Sequence, residues 1–178
     1  MVATAPRLVR RTLVLLKECG LDRKVRVVGG GRTRAESVRN AVFRVSPSCE
    51  WILVHDAARP LVDPSLVARL LKAAKSSGAA LCALPATATV KDVKTGRVRG
   101  TLDRRNIFLA QTPQVFRKKF LLERYQKLGK KALRATDEAA LFDGSRVRTA
   151  VVNGEVRNIK ITTPDDLRLF QFYLNGKR

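Results

Sequence analysis

The absences in this chain narrow its function before any motif is weighed. Acidic residues are scarce: 15 Asp and Glu stand against 36 Lys and Arg, a formal charge of +21. Aromatics make up only 6% of 178 residues, and there is one histidine. No apolar run approaches the ~18 residues of a membrane span, and the first residues, Met1 to Arg7, hold no apolar stretch of the signal-peptide kind. The expectation is therefore a protein without a membrane partner. The three cysteines, Cys19, Cys49 and Cys82, are odd in number and lack any CxxC spacing. That excludes a disulfide or zinc framework and reads as reduced, half-buried thiols of a cytoplasmic protein. The positive charge raises nucleic-acid binding as a rival function. Its distribution argues against that: the basic residues spread along the whole chain, and the few aromatics do not interleave with them as a base-stacking platform requires. No specific nucleic acid is expected; an Arg-rich proteome or a small anionic substrate accounts for the charge. The GxGxxG and GxxxxGK[ST] spacings are also missing.

What is present reads as one α/β domain over residues 1–178. The stretch Trp51-Ile-Leu-Val-His-Asp-Ala-Ala-Arg-Pro60 is a buried strand that delivers a carboxylate at its end. In open α/β sheets ligands collect at such ends, so Asp56 is the first candidate site residue and Arg59 its cationic neighbour. Pro6 to Cys19 reads as a helix. Val25 to Val28 reads as a strand that closes on Gly29-Gly30-Gly31 and leads into a helix carrying Val38, Ala41 and Val42. Glycine turns ahead of a helix N-terminus expose N–H groups to anions; a plain tight turn is the blander alternative. Asp63 as N-cap and Pro64 at the first position begin the next helix. Ala79 to Leu84 is almost wholly apolar, as parallel strands covered on both faces are. Residues 86–106 alternate about a Lys94-Thr95-Gly96-Arg97 turn and read as a β-hairpin needing cover from a second subunit. Arg117 to Lys131 reads as a basic helix, Ala135 to Phe142 as a short helix capped by Thr136, and Val147 to Val152 as a strand. Asn158 to Thr162 reads as a strand entering a last helix, capped by Thr163 and packed through Leu167, Leu169, Phe170 and Tyr173.

In order, the chain carries GG-R-x-R-A-E-S-V, VHDAARP, ATVK, a hairpin with Leu-Asp-Arg, AQTPQVF, ATDEAA and NIKITTPDDL. Together these resemble the 2-C-methyl-D-erythritol 4-phosphate cytidylyltransferase family, over about Val25 to Tyr173. The resemblance implies a nucleotidyltransferase-type, Rossmann-like, mostly parallel sheet with a projecting hairpin that serves as a dimerisation arm. It implies transfer of a cytidylyl group from CTP to methylerythritol phosphate with Mg²⁺, in the non-mevalonate route to isoprenoids. Gly30, Arg34 and Ser37 match the family's cytidine-recognising turn. Asp56 matches the carboxylate near Mg²⁺ and the ribose, with Ala57 and Arg59 beside it. Thr89 and Arg104 match hairpin contacts to methylerythritol phosphate, Arg104 acting across the dimer, with Arg105 the alternative register. Thr112 and Thr136 match substrate-side threonines; turn and helix capping are their plainer roles. Lys160 matches a lysine that reaches the substrate phosphate. His55 is read as a packed strand-end residue with no catalytic role. Related enzymes acting on ribitol phosphate share the HDAARP-like and TPQ-like segments, so that substrate stays open.

One departure from the family shapes the expectation. The glycine-rich loop AAGxGxRM…PKQ, which wraps the triphosphate, finds no match, and Val2 to Pro6 resembles the tail of the family's second strand. The first strand, that loop and the first helix are expected to be missing, through a misplaced start, gene decay or fragmentation, the misplaced start being preferred. Removing even one comparable donor costs about 3–4 kcal/mol of barrier. The expected consequences are impaired turnover, with an inactive homologue as the alternative, and an apolar edge along Trp51–Val54 that favours aggregation.

Overall fold

The computed structural model describes residues 1–176. They divide into two compact units, Met1–Val54 with Phe116–Arg148 and His55–Val115 with the stretch from Thr149 onward. Among the described residues no helix is long and apolar enough to cross a membrane.

In the first unit, β1 (Val2–Thr4) pairs in parallel with β2 (Val27–Gly29). The helices α1 (Val9–Glu18) and α2 (Arg34–Val42) follow these strands and pack on them. Thr33 caps α2: its hydroxyl accepts from the Glu36 amide at 3.1 Å, which satisfies one of the helix's orphan donors. β3 (Trp51–Val54) belongs to a different sheet, whose strand order is β3-β7-β4-β8, and takes an end position there. Ile52 and Val54 are buried on it and Leu53 is exposed. After β7 comes α4 (Lys118–Leu128), whose Leu121 and Tyr125 are buried as its 3.6-residue period requires. Phe116 stacks on Phe142 with ring centroids 5.3 Å apart.

In the second unit, α3 (Pro64–Ser77) opens on the expected cap: Asp63 Oδ1 accepts from the Ser65 amide at 2.7 Å. Leu66, Leu70 and Ala74, four residues apart, are fully buried where α3 lies on β4 (Ala79–Pro85) and β8 (Ala150–Asn153). β4 and β8 are parallel, with Ala80 opposite Ala150. β5 (Val90–Lys94) and β6 (Arg97–Leu102) form the hairpin the sequence predicts. Both turn residues, Thr95 at φ 49° and Gly96 at φ 75°, have positive φ, which matches the strand twist. β7 (Phe108–Arg117) runs for ten residues, from the second unit into the first, and contains a cis Thr112–Pro113 peptide.

Several sequence expectations need correction. Residues 158–162 are not a strand; they form an irregular segment tied down by the Ile161 amide, which donates to the Ala58 carbonyl at 2.8 Å. Thr136 does not cap a helix. The segment after it is one turn of 3-10 helix, Ala139–Phe142, and Asp137 Oδ1 takes the Ala140 amide at 3.0 Å. α5 (Pro164–Asn175) keeps its predicted Thr163 cap, but its Leu167 and Leu169 are exposed rather than packed.

Candidate active site

The residues of the second unit converge on the loop that follows β3. Two loops meet there. One is His55–Pro60; the other, Asn158–Thr162, carries Lys160. Lys160 Nζ lies 2.9 Å from Asp56 Oδ2, with the lysine half exposed and the carboxylate mostly covered. The joint between the loops is made by Arg59, whose Nη1 donates to the Asn158 carbonyl at 2.7 Å, and by the Ile161–Ala58 backbone bond. Burial lowers the Arg59 pKa from its usual value, with the Asp56 charge opposing that shift. A guanidinium so held still carries its charge at neutral pH. Its Nε is one of two buried side-chain polar atoms, among the described residues, that have no hydrogen-bond partner; the other is Asn158 Oδ1.

Asn158 is fully buried and braces the strand beneath. Its Nδ2 donates to the Thr112 carbonyl at 2.8 Å, and its own carbonyl also accepts from Gln111 Nε2 at 3.3 Å. Gln111 in turn brackets Glu155, donating to its carbonyl and accepting from its amide at 3.0 and 3.1 Å. Thr112 faces the Asp56 loop: its Oγ1 accepts from the Asp56 amide at 3.0 Å and lies 3.1 Å from His55 Nδ1. Cys82, beneath, is not a nucleophile. Burial pushes its thiol up to about 11, and its Sγ points at the Pro113 carbonyl, 3.3 Å away.

Thr89 and Arg104 lie at the root of the hairpin in the same unit, and both are exposed. Arg104 Nη1 donates to the Thr87 carbonyl. Arg105, by contrast, is held in an ion pair with Asp103, with contacts of 2.6 to 3.0 Å. Ala57 is exposed on the Asp56 loop.

In the first unit the glycine turn is held from several sides. The Gly30 amide donates to the Thr4 carbonyl at 2.6 Å and the Gly31 amide to Ser37 Oγ at 3.0 Å, while Ser37 Oγ donates to the Thr33 carbonyl at 2.8 Å. Ser37 thus braces the turn from within. Arg34 makes a two-pronged pair with Glu138, at 3.1 and 3.0 Å, and Glu138 is almost completely buried. Burial raises the Glu138 pKa, with Arg34 opposing. Thr136 is exposed two residues earlier.

The sequence-predicted residues therefore fall into three groups: Asp56, Ala57, Arg59, Thr112 and Lys160; Thr89 and Arg104; and Gly30, Arg34 and Ser37, with Thr136 two residues before the Glu138 that pairs with Arg34. Reading the sequence alone missed His55, Gln111, Asn158 and Glu138 as parts of these networks. Asn158 and Glu138 stand inside the NIKIT and TDEAA segments, each behind a charged residue, Arg157 and Asp137, and before an apolar one, Ile159 and Ala139, so the local sequence gave little signal of their burial.

Comparison with known proteins follows the same lines. A family model described as 2-C-methyl-D-erythritol 4-phosphate cytidylyltransferase matches residues 3–176. A protein of that name from Solibacter usitatus is 44% identical over 155 residues, covering 85% of this chain and 64% of the relative. A protein from an Anaeromyxobacter species named bifunctional enzyme IspD/IspF is 49% identical over 152 residues, covering 83% of this chain and 39% of the relative. The chain thus spans less than two thirds of the length of these two relatives. A crystal structure of 4-diphosphocytidyl-2C-methyl-D-erythritol synthase from Anaerococcus prevotii superposes with a TM-score of 0.86 at 29% identity, covering 97% of this chain and 77% of that one. With its α/β architecture, its loop carboxylate paired to a lysine and a family match over nearly its whole length, the chain belongs to the 2-C-methyl-D-erythritol 4-phosphate cytidylyltransferase family.

Proposed function

We propose that the protein transfers the cytidylyl group of CTP to 2-C-methyl-D-erythritol 4-phosphate. An oxygen of the substrate phosphate attacks the α-phosphorus, the bond from that phosphorus to the bridging oxygen breaks, and pyrophosphate leaves. The observation that carries this reading is the Asp56–Lys160 pair, a carboxylate and an ammonium 2.9 Å apart on two mutually braced loops. Reactions of this kind depend on positioning and charge neutralisation more than on covalent chemistry. Lys160 is half exposed and can turn from Asp56 to an incoming phosphate. Arg104, held by a carbonyl rather than a carboxylate, keeps its charge for an anion.

The donor set suits Mg²⁺. Among the described residues no group of three or more His, Cys, Asp or Glu could hold a metal ion. Mg²⁺ commonly takes one or two carboxylates, with phosphate oxygens and water completing its shell. Asp56 would hold it, and the ion would offset charge on the phosphates when bound. The glycine turn at Gly30, with Arg34 and Ser37, is proposed to recognise cytidine. The exposed hairpin, with Val93 opposite Val98, is proposed to pair with a second copy of the chain.

The test is pyrophosphate release from CTP, Mg²⁺ and methylerythritol phosphate by the protein expressed from its complete reading frame, with ribitol phosphate as a parallel arm. Release with methylerythritol phosphate alone supports the proposal. Release with ribitol phosphate alone overturns the substrate, and release with neither overturns the activity.

A further inference from the structure

His55 sits in a closed ring of hydrogen bonds, all within the second unit. The Asp56 amide donates to Thr112 Oγ1 at 3.0 Å. Thr112 Oγ1 lies 3.1 Å from His55 Nδ1, and His55 Nε2 lies 2.9 Å from the Arg59 carbonyl. The Arg59 amide closes the ring on the Asp56 carbonyl at 2.9 Å. The chemistry of the end groups sets the direction of each bond. A carbonyl only accepts, so Nε2 must carry a proton; an amide only donates, so Thr112 Oγ1 must accept from Asp56. The Thr112 hydroxyl proton is then available for Nδ1, whose lone pair accepts it in the neutral ring. Every donor is used once and every acceptor is met.

We infer that His55 is a positioning residue: as the neutral Nε2–H tautomer, wired through Thr112, it fixes the Asp56 amide and both ends of the 55–59 turn, and so aims the Asp56 carboxylate. A side chain that merely packed at a strand end would need neither nitrogen. The ring also gives Thr112 a role other than a substrate contact: its hydroxyl is already committed on both sides. The catalytic part of the inference rests on the function proposed above; the wiring does not.

The wiring is measurable directly because His55 is the chain's only histidine. Long-range proton–nitrogen correlation of the imidazole, on untagged protein at mildly alkaline pH, reads its tautomer without assignment. The expected result is Nε2–H as the dominant form, with the Nδ1 resonance moving in Thr112→Val and returning in Thr112→Ser. A dominant Nδ1–H form, or a spectrum indifferent to Thr112→Val, overturns the inference. In kinetics, His55→Ala and Thr112→Val should each lower kcat by about 10–100-fold with both KM values little changed. Thr112→Ser should recover most of the loss, and the double variant should be no worse than the poorer single one, as for residues acting in one network. If Thr112→Val instead raises the KM for methylerythritol phosphate at unchanged kcat, Thr112 is a substrate contact and His55 does not act through it. Should the wild-type protein release no pyrophosphate, the proposed function falls, while the tautomer measurement still decides the wiring.

Discussion

Lys160 Nζ and Asp56 Oδ2 stand 2.9 Å apart, on two loops of the second unit, one following β3 and the other β8. The lysine is half in solvent, and a pair with that exposure contributes at most about 1 kcal/mol to folding. Stability alone therefore gives little reason for the pair, and its place on two braced loops points to chemistry. Asp56→Asn should cut turnover by at least about 100-fold while leaving the urea midpoint nearly unchanged. Lys160→Ala should chiefly raise the KM for methylerythritol phosphate. Steady-state kinetics beside urea denaturation check both; preserved turnover in Asp56→Asn would refute its role.

The two neighbouring arginines at the hairpin root differ in what already neutralises them. Arg105 is spent on Asp103, which holds the carboxyl below its usual pKa, whereas Arg104 rests on a carbonyl. Arg104→Ala should raise the KM for the phosphorylated substrate about tenfold or more, in line with loss of one charge-assisted contact. Arg105→Ala should change it little. The reverse order would move the phosphate contact by one residue.

How much of this was legible beforehand follows the range of the interactions. The caps Asp63 and Thr163 and the Thr95-Gly96 turn are local, so a short window of sequence contains both partners. β7 was not legible. Pro113 and two glutamines argue against a covered strand, yet residues 111–116 are all buried. Gln111 survives there because residues more than forty positions away satisfy its amide. Asn158-Ile-Lys-Ile has the alternation of a strand, but it is held by Arg59 and by the Ala58 carbonyl, and no neighbouring strand pairs with it among the described residues. His55 looked like a packing residue since its key partner, Thr112, lies 57 positions on. Asp56, Arg104 and Lys160 were named from motifs alone, and the different partners of Arg104 and Arg105 show only in the distances.

Gly30 is needed for lack of room. A Cβ there would stand 2.6 Å from Ser37 Oγ and 3.1 Å from the Thr4 carbonyl. Gly30→Ala should force Ser37 away from the Gly31 amide and the Thr33 carbonyl, at a cost of about 1–3 kcal/mol, and raise the KM for CTP. Adding Ser37→Ala removes the nearer obstacle, so the double variant should be more stable than the sum of the single losses. Chemical denaturation of the four proteins gives the cycle; strict additivity would mean that the two residues do not meet.

On the hairpin, Val93 and Val98 are cross-strand partners, 55% and 62% exposed, and Leu102 is 46% exposed. An isolated two-stranded hairpin is marginal in water, so a partner surface over these side chains would stabilise it. Val98→Glu should convert a dimer to a monomer in sedimentation equilibrium, with the far-ultraviolet circular dichroism of the remainder kept. A wild-type monomer, or a Val98→Glu dimer of undiminished affinity, would remove the hairpin from the interface.

The last helix provides a prediction about acid. Asp166 Oδ2 accepts from the Thr162 amide and hydroxyl at 2.9 and 2.7 Å and from the Thr163 amide at 2.8 Å. Thr163 answers by accepting the Asp166 amide at 3.2 Å, a reciprocal cap on α5. The bond from the Thr162 hydroxyl, followed by the backbone amides, lowers the Asp166 pKa from 3.8 to about 2. A carboxylate held below its unfolded value stabilises the folded state fully above that value, and the contribution is lost as pH falls through the folded one. Amide exchange along α5 should therefore quicken as pH drops from about 4 toward 2, after correction for the intrinsic rate. Asp166→Asn should show faster exchange already at neutral pH and little further change over that acid interval. Thr163→Ala should cost the cap about 1 kcal/mol but keep an acid dependence, because Asp166 retains its bonds to Thr162. An Asp166→Asn protein with the acid response of the wild type would place the titrating group elsewhere.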